Sequence, residues 1–341
     1  MADGIISPKE RLKRKLNGQT ADRPPVICPG GMMNAAVVEI MTATGHTLPE
    51  AHHSRELMTE LAADVSRLTG FENFGIPFCM TVEAEVLGSE INYGALDCEP
   101  KIQKERFSSA AAAVFPDRQA FDRNRRVRAV TDSIYALTQK YPDTPVVGSL
   151  TGPISTAASV IDPMTFLKQL RKDKDNSHRV IDYVTDCLIH YAAMMVEAGA
   201  DVISVADPTA TGEILGPKMF DEYALRYLNK LAGAVRAMGA PVIVHICGKM
   251  EAVKPSVARL KANALSVDAF VSLKEIKGLY PHINTMGNLS TIMLEFGNSD
   301  KVARGTQALL RNRIDIIAPA CGLSTSTPLA NIRAFTETVK N

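Results

Sequence analysis

The sequence contains no tryptophan, and only 6% of its 341 residues are aromatic. Proteins that bind single-stranded nucleic acid stack the bases on exposed aromatic rings, so this shortage argues against such a partner. The formal net charge is only +1, which leaves no excess of basic side chains for nucleic acid or an anionic membrane. We therefore expect neither a nucleic-acid partner nor a membrane partner.

Long apolar runs are also missing, because no stretch is long enough to span a bilayer. Residues 1–18 are charged and amphipathic and lack the apolar centre of a signal peptide. The six cysteines show no disulfide-framework spacing; they are Cys28, Cys79, Cys98, Cys187, Cys247 and Cys321. These features predict a cytoplasmic protein with reduced cysteines.

Short apolar segments alternate with helical stretches over most of the chain, a pattern typical of parallel strands that are connected by helices. Eight such segments occur, near residues 26, 74, 146, 202, 242, 265, 285 and 315. Eight is the number of strands in a closed barrel, and no Gly-x-Gly-x-x-Gly follows an early strand, as a doubly wound sheet would have. The sequence therefore predicts a single-domain (β/α)8 TIM barrel over residues 1–341.

Two additions to this barrel are expected. Residues 1–22 are predicted to form an N-terminal helical extension, and residues 86–145, after the second strand, a capping insertion. Helices are predicted at 7–18, 34–42, 50–69, 121–140, 163–199 and 217–238, and a short hairpin at 90–96.

The stretch from Val242 to Gly248 reads Val-Ile-Val-His-Ile-Cys-Gly. Its β-branched residues predict a buried strand, and residues two apart on a strand point to the same side. His245 and Cys247 can therefore face one point and offer an imidazole nitrogen and a thiolate, which are zinc ligands. The alternative is that His245 is a hydrogen-bonded core histidine and Cys247 a small apolar residue.

The active sites of TIM barrels lie at the carboxyl ends of the strands, so reactive side chains at those ends deserve comparison. Cys321 follows the last predicted strand, and Asp268 follows the sixth. His245, Cys247 and Cys321 supply three ligands for tetrahedral zinc with the fourth position open, as in catalytic sites. Asp268 is predicted either to occupy that fourth position or to accept a hydrogen bond from His245.

Two thiolates and one imidazole leave little net positive charge on a zinc ion, which suits holding a third, exogenous thiol as a thiolate. The electron-rich ligands keep that sulfur nucleophilic. The expected reaction is therefore alkyl transfer to a zinc-bound thiolate, with His245, Cys247 and Cys321 as the residues that activate it.

This ligand pattern resembles the zinc site of the methylcobamide:coenzyme M methyltransferases in the uroporphyrinogen decarboxylase superfamily of (β/α)8 barrels. The shared features are His245-x-Cys247, an acidic residue 23 positions later and the late Cys321. The resemblance extends over nearly the whole chain, including Pro49-Glu50-Ala51-His52, Pro77-Phe78-Cys79-Met80-Thr81-Val82 and Ala318-Pro319-Ala320-Cys321-Gly322. Cobalamin-independent methionine synthase has a similar ligand set.

The resemblance implies a zinc cofactor, a corrinoid protein that presents methyl-Co(III) as the methyl donor, and a small thiol, coenzyme M, as the acceptor. Asp268 lies where the group has a glutamate that binds zinc reversibly. The candidate substrate contacts are Asn288 and the turn at residues 151–153, and Asp207, which is equally a candidate for capping the loop after its strand.

Two other functions compete with this interpretation. A non-catalytic barrel could bind a corrinoid or a thiol without turnover. The decarboxylases of the superfamily hold the carboxylates of their substrate with an arginine-rich motif after the first strand, whereas this chain has Cys28-Pro29-Gly30-Gly31-Met32-Met33-Asn34 there. A polyanionic porphyrinogen would have no counter-charge, so the sequence argues against a decarboxylase-like lyase.

Overall fold

Seven parallel strands form the central sheet of the computed structural model, which describes residues 6–341. Across the sheet they are β1 Phe74–Ile76, β4 Val146–Thr151, β5 Val202–Ala206, β6 Val242–Ile246, β7 Ala264–Val267, β8 Asn284–Leu289 and β9 Ile316–Pro319. A separate antiparallel hairpin pairs β2 Glu90–Asn92 with β3 Lys101–Lys104. Because all neighbours in the central sheet run parallel, a crossover must connect each strand to the next.

Helices form these crossovers. The α-helices are α1 Pro8–Leu16, α2 Val38–Thr44, α3 Arg55–Thr69, α4 Val82–Val86, α5 Ala120–Arg123, α6 Arg125–Lys140, α7 Pro153–Val160, α8 Pro163–Lys172, α9 Lys174–Glu197, α10 Gly212–Met219, α11 Arg226–Ala237, α12 Lys254–Val257, α13 Leu273–Leu279, α14 Thr291–Phe296, α15 Ser299–Arg311 and α16 Leu329–Lys340. Short 3₁₀ turns lie at Glu50–His52 and Glu251–Val253, and a π-helical segment lies at Phe220–Leu225.

The predicted first strand contributes a single bridge, in which Val26 pairs in parallel with Ile317 of β9. On the other side, the Glu72 N–H donates to the carbonyl of Val26 (2.9 Å). The segment around Val26 thus lies between β9 and β1 and closes the ring, so the TIM-barrel prediction is confirmed. A regular strand does not form because Pro24, Pro25 and Pro29 have no N–H to donate.

Helix α1 closes the amino-terminal end of the barrel. Ser7 caps it by accepting a hydrogen bond from the Glu10 N–H (3.2 Å), and Pro8 occupies the first turn. Leu12 and Leu16 are buried and pack with inward-facing strand residues such as Ile243. The predicted N-terminal extension therefore contains a helix that fills the bottom of the barrel.

The predicted insertion at 86–145 has two different parts. Its hairpin is wider than the 90–96 expected, because Glu90–Asn92 pairs with Lys101–Lys104. The loop between these strands reaches the segment after β9, where Thr325 Oγ1 donates to the carbonyl of Asp97 (3.0 Å). The last helix, α6, instead packs beside α3 and buries residues such as Ile134, so it belongs to the outer ring of helices.

Several predicted helices are divided or shifted in the structure. The helix expected at 50–69 breaks at Ser54, which accepts from the Leu57 N–H (3.2 Å) and begins α3. The helix expected at 217–238 starts at Pro217 as predicted, because the backbone at Gly216 is not helical, and a separate short turn capped by Thr211 precedes it. Asn124 and Asp173 divide the helices expected at 121–140 and 163–199, and α2 begins four residues later than expected.

Candidate metal centre

His245 is the last inward-facing residue of β6. Cys247, the next residue on the same side, directly follows the strand. The Nε2 atom of His245 lies 3.1 Å from the sulfur of Cys247, as the strand alternation predicts. His245 is completely buried, whereas Cys247 is partly accessible from the mouth of the barrel. The imidazole is thus fixed in the barrel wall while the thiol faces the entrance.

Cys321 reaches the same point from the loop after β9. Its sulfur lies 3.6 Å from the sulfur of Cys247. The following residue must be small, because a Cβ on Gly322 would lie 2.4 Å from the carbonyl oxygen of Met32. Met32 lies in the loop after Val26, and its sulfur approaches Cys247 to 3.9 Å. The barrel's first and last loops therefore pack together beneath the two thiols.

The ligand atoms of His245, Cys247 and Cys321 all lie within 4.8 Å of one another. The hydrogen bond from the Cys247 thiol lowers the pKa of Cys321 to about 5, whereas this hydrogen bond and burial raise the pKa of Cys247. The opposite directions have one cause, since two sulfurs this close share a single proton. A bound cation would be needed to keep both as thiolates at neutral pH.

The donor atoms fit zinc in type and spacing. Tetrahedral zinc would separate two thiolate ligands by about 3.8 Å and a thiolate from an imidazole nitrogen by about 3.6 Å. The corresponding distances here are 3.6 Å between the sulfurs and 3.1 Å from Cys247 to His245. A shift of about half an ångström would bring these two distances to those of tetrahedral zinc.

Asp268 lies outside this cluster. One of its carboxylate oxygens accepts from the Gly248 N–H (3.5 Å) and the other from the Phe270 N–H (3.3 Å). The alternative prediction, that Asp268 accepts a hydrogen bond from His245, is wrong, because Ser266 lies at His245 Nδ1 (2.9 Å) and Cys247 at Nε2 (3.1 Å). The strand register explains this result, since β6 and β7 pair His245 with Ser266 and leave Asp268 one layer higher. Its role as a fourth ligand stays a prediction.

Asp207 holds the loop after β4. Its carboxylate accepts from the backbone N–H groups of Ile154 (3.0 Å) and Ser155 (2.8 Å), and from the Ser155 hydroxyl (2.6 Å). A Cβ on Gly152 would lie 2.4 Å from the Cβ of Asp207, so the glycine permits this approach. Asp207 thus caps the start of α7, in the segment after β4, rather than the loop after its own strand. The 151–153 turn packs against it, and a contact of Asp207 or of this turn with a substrate stays a prediction.

Asn288 is similarly engaged with backbone. Its side-chain amide donates to the carbonyl of Asp268 (2.9 Å) and to that of Val271 (2.8 Å). These bonds fix the loop after β7, which borders the mouth of the barrel. A direct contact of Asn288 with a substrate stays a prediction.

A cleft of 540 Å³ opens from Cys321 toward the hairpin loop. Met32 and Cys321 form its inner end, and Glu99, Lys101 and Glu295 lie among the residues farther out. Asn34 donates to the carboxylate of Glu99 (2.9 Å) and so ties the hairpin loop to the loop after Val26. The cleft provides a small molecule with access to a thiol of the cluster.

Comparison with known proteins assigns the chain to a family. The profile of the uroporphyrinogen decarboxylase (URO-D) family matches residues 7–341, which is nearly the whole chain. The chain belongs to the uroporphyrinogen decarboxylase family. Within the URO-D family it is 33% identical to the methylcobamide:CoM methyltransferase MtaA of Methanosarcina barkeri, and the alignment covers 96% of each protein.

Two further relatives of this URO-D chain are also methyltransferases. The methylcobamide:CoM methyltransferase MtbA of Methanosarcina mazei is 33% identical, with 98% of each protein covered. A solved methyltransferase structure from Methanosarcina mazei superimposes with a TM-score of 0.91 at 32% identity, again covering 98% of each chain. The chain therefore groups with the methylcobamide:CoM methyltransferases of the URO-D family, as the pattern of His245, Cys247 and Cys321 predicted.

The loop after Val26 separates this URO-D chain from the decarboxylase alternative. It carries Met32 to the thiols and Met33 into the barrel interior, where Met33 packs with Ile27 and Val147. No arginine lies in this loop to neutralise a substrate carboxylate. The structure thus gives the loop a packing role beneath the metal centre.

Sequence reasoning missed three neighbours of the cluster. Ser266 lies two residues before Asp268, but its pairing with His245 depends on the register of β6 and β7, which the sequence does not specify. Met32 and Glu99 follow no local pattern, because the fold alone brings their loops to the mouth. Within residues 6–341, no helix is long and apolar enough to cross a membrane.

Proposed function

We propose that this protein is a zinc-dependent methyltransferase that moves a methyl group from a protein-bound methylcobamide to a small thiol, with coenzyme M as the acceptor. The observation that carries the proposal is the cluster of His245, Cys247 and Cys321, whose ligand atoms lie within 4.8 Å of one another at the barrel mouth. The acceptor and the donor are those in the names of the MtaA and MtbA relatives.

When bound by these three residues, zinc would supply the positive charge that keeps an incoming thiol in its nucleophilic thiolate form at neutral pH. The side chains of the protein have separate tasks. His245 is buried and held through Nδ1 by Ser266, so its Nε2 atom stays directed at the sulfurs. Cys247 and Cys321 face the mouth and contribute negative charge.

The arrangement of the mouth supports two substrates that enter from different directions. A small thiol reaches Cys321 through the 540 Å³ cleft beneath the hairpin loop. That volume is too small for a corrinoid with its carrier protein, so the corrinoid must approach from outside the barrel. Methyl transfer between the two then depends on holding the acceptor sulfur and the methyl group in line.

The partner we propose is therefore a corrinoid protein that carries methyl-Co(III), and neither nucleic acid nor a membrane is part of the proposal. All six cysteines are free in the structure. Free thiols persist in a reducing compartment, and we propose that the protein acts in the cytoplasm.

The function is tested by mixing the purified protein with free methylcobalamin and 2-mercaptoethanesulfonate and following the methylcobalamin spectrum. We expect demethylation that stops on treatment with a zinc chelator and returns when zinc is restored. Cys247→Ala and Cys321→Ala should lose this activity, while Cys187→Ala, which removes a buried thiol of the outer helix α9, should keep it.

A thiol series separates the competing functions. Methylcobalamin that stays unchanged with sulfonate-bearing, neutral and amino thiols, although the protein binds one of them, would favour a non-catalytic binder. Turnover that survives complete removal of zinc would contradict the metal-dependent proposal.

A further inference from the structure

Ser266 lies beside the buried histidine of the metal centre. The register of β6 and β7 pairs His245 directly with Ser266, and both side chains face the barrel interior. The Ser266 hydroxyl oxygen lies 2.9 Å from His245 Nδ1. Both residues have a relative exposure of 0%, so bulk water does not compete for this hydrogen bond.

The surroundings of the hydroxyl indicate the direction of the hydrogen bond. The sulfur of Met33 lies 3.9 Å from Ser266 Oγ, and a thioether accepts but never donates. With its own hydrogen directed at Met33, the Ser266 oxygen has lone pairs free to accept the N–H at His245 Nδ1. The other nitrogen, Nε2, then presents its lone pair to Cys247, 3.1 Å away.

We infer that Ser266 is a positioning residue, which fixes His245 in the tautomer and the orientation that metal binding requires. This inference rests on the proposed zinc function. A neutral hydroxyl holds the ring without bringing another negative charge into the barrel. The negative charge at the site then comes from Cys247 and Cys321 alone, whereas a carboxylate partner would make the imidazole more basic.

The structure also explains why a hydroxyl, rather than a carboxylate, contacts His245 Nδ1. The nearest carboxylate along β7 belongs to Asp268, and it contacts the Gly248 N–H rather than the imidazole. Met33, which orients the hydroxyl, comes from the same loop that carries Met32 to Cys247. One loop thus contacts both the Ser266 hydroxyl and the Cys247 thiol.

The test compares zinc affinity among Ser266→Ala, Ser266→Thr, Ser204→Ala and wild type, measured by competition with a chromogenic chelator. Ser204 lies on β5, is buried like Ser266, and within the described part of the chain makes no side-chain hydrogen bond to His245. We expect Ser266→Ala to bind zinc about 10–100-fold more weakly. Ser266→Thr, which keeps the hydroxyl, and Ser204→Ala should stay within about threefold of wild type by the same scale. Wild-type affinity in Ser266→Ala would overturn the inference.

A second measurement distinguishes positioning from mere packing. In zinc-free protein, histidine ¹⁵N shifts should show the ring proton of His245 on Nδ1, and this preference should be lost in Ser266→Ala. An unchanged tautomer in Ser266→Ala would also overturn the inference. This measurement needs no metal, so it still tests Ser266 if wild-type protein binds no zinc, a result that would contradict the proposed function alone.

Discussion

At the scale of single residues, the buried carboxylates of Asp207 and Glu83 bind backbone groups of the scaffold. Asp207 accepts hydrogen bonds from the start of α7. Glu83 does the same for the end of β4, accepting from the Thr151 N–H (2.8 Å) and the Thr151 hydroxyl (3.1 Å). Strand-end position alone therefore does not identify a substrate contact, because backbone groups at strand ends also need partners.

Glu83 gives a test of this scaffold role through pH. Burial raises the pKa of Glu83 from 4.5 to about 7. Between these values the folded protein keeps a proton that the unfolded chain has released, so this carboxyl's contribution to stability falls as the pH rises and is level above pH 7. We expect the wild-type unfolding free energy, relative to Glu83→Gln, to fall by about 3 kcal/mol across this window.

Urea denaturation at a series of pH values measures this difference. Glu337→Gln, on the exposed side of α16, should show no such trend and serves as the control. A wild-type difference that is independent of pH would show that Glu83 is ionised throughout the window.

At the scale of secondary-structure elements, the segment around Val26 shows how a barrel closes without a regular strand. The side chain of Asn73 takes the place of backbone partners there. Its oxygen accepts from the Cys28 N–H (2.9 Å), and its amide donates to the Cys28 carbonyl (2.9 Å). A single side chain thus satisfies both backbone groups of a residue that carries the loop to Met32.

Replacing Asn73 should therefore weaken the closure of the barrel. Asn73→Ala leaves a buried N–H and a buried carbonyl without partners, and we expect the unfolding free energy to fall by about 1–3 kcal/mol. Chemical denaturation measures the change, with the exposed Asn92→Ala of the hairpin as the control. Equal stability of the two variants would mean that closure of the barrel around Val26 does not depend on the Asn73 side chain.

Helix α1 gives a second element-scale prediction. Leu12 is fully buried at the bottom of the barrel, where it packs with inward-facing residues such as Ile243. Leu12→Ala creates a cavity, and we expect a loss of about 2–5 kcal/mol in a thermal or chemical unfolding experiment. The exposed Gln19→Ala, just after the helix, should have little effect. A similarly small effect of Leu12→Ala would show that the extension is not part of the core.

Strands such as β5 and β6 could be predicted because they are short, largely apolar segments with β-branched residues, as in Val242–Ile246. Strand formation around Val26 was overestimated, since its apolar residues are flanked by prolines. The proximity of His245, Cys247 and Cys321 was predictable from strand alternation and position at strand ends. Ser266 was not, because its role depends on the pairing register of two strands, which no local pattern specifies.

At the scale of the whole molecule, the metal centre depends on closure of the barrel. Cys247 and Cys321 are 74 residues apart in sequence, yet their sulfurs lie 3.6 Å apart because the ends of β6 and β9 share one rim. The unfolded chain offers no such preformed site, so zinc should bind the folded state preferentially and stabilise it. We expect chelation to lower the thermal unfolding midpoint of wild type and to leave that of Cys247→Ala unchanged. Equal shifts in both proteins would place the metal elsewhere.

The most direct test of the account is the zinc content of protein purified without added metal, measured by elemental analysis. We predict about one zinc per chain in wild type and in Cys187→Ala, and little zinc in Cys247→Ala or Cys321→Ala. One zinc per chain retained by both of these ligand variants, or none in wild type, would contradict the metal centre formed by His245, Cys247 and Cys321.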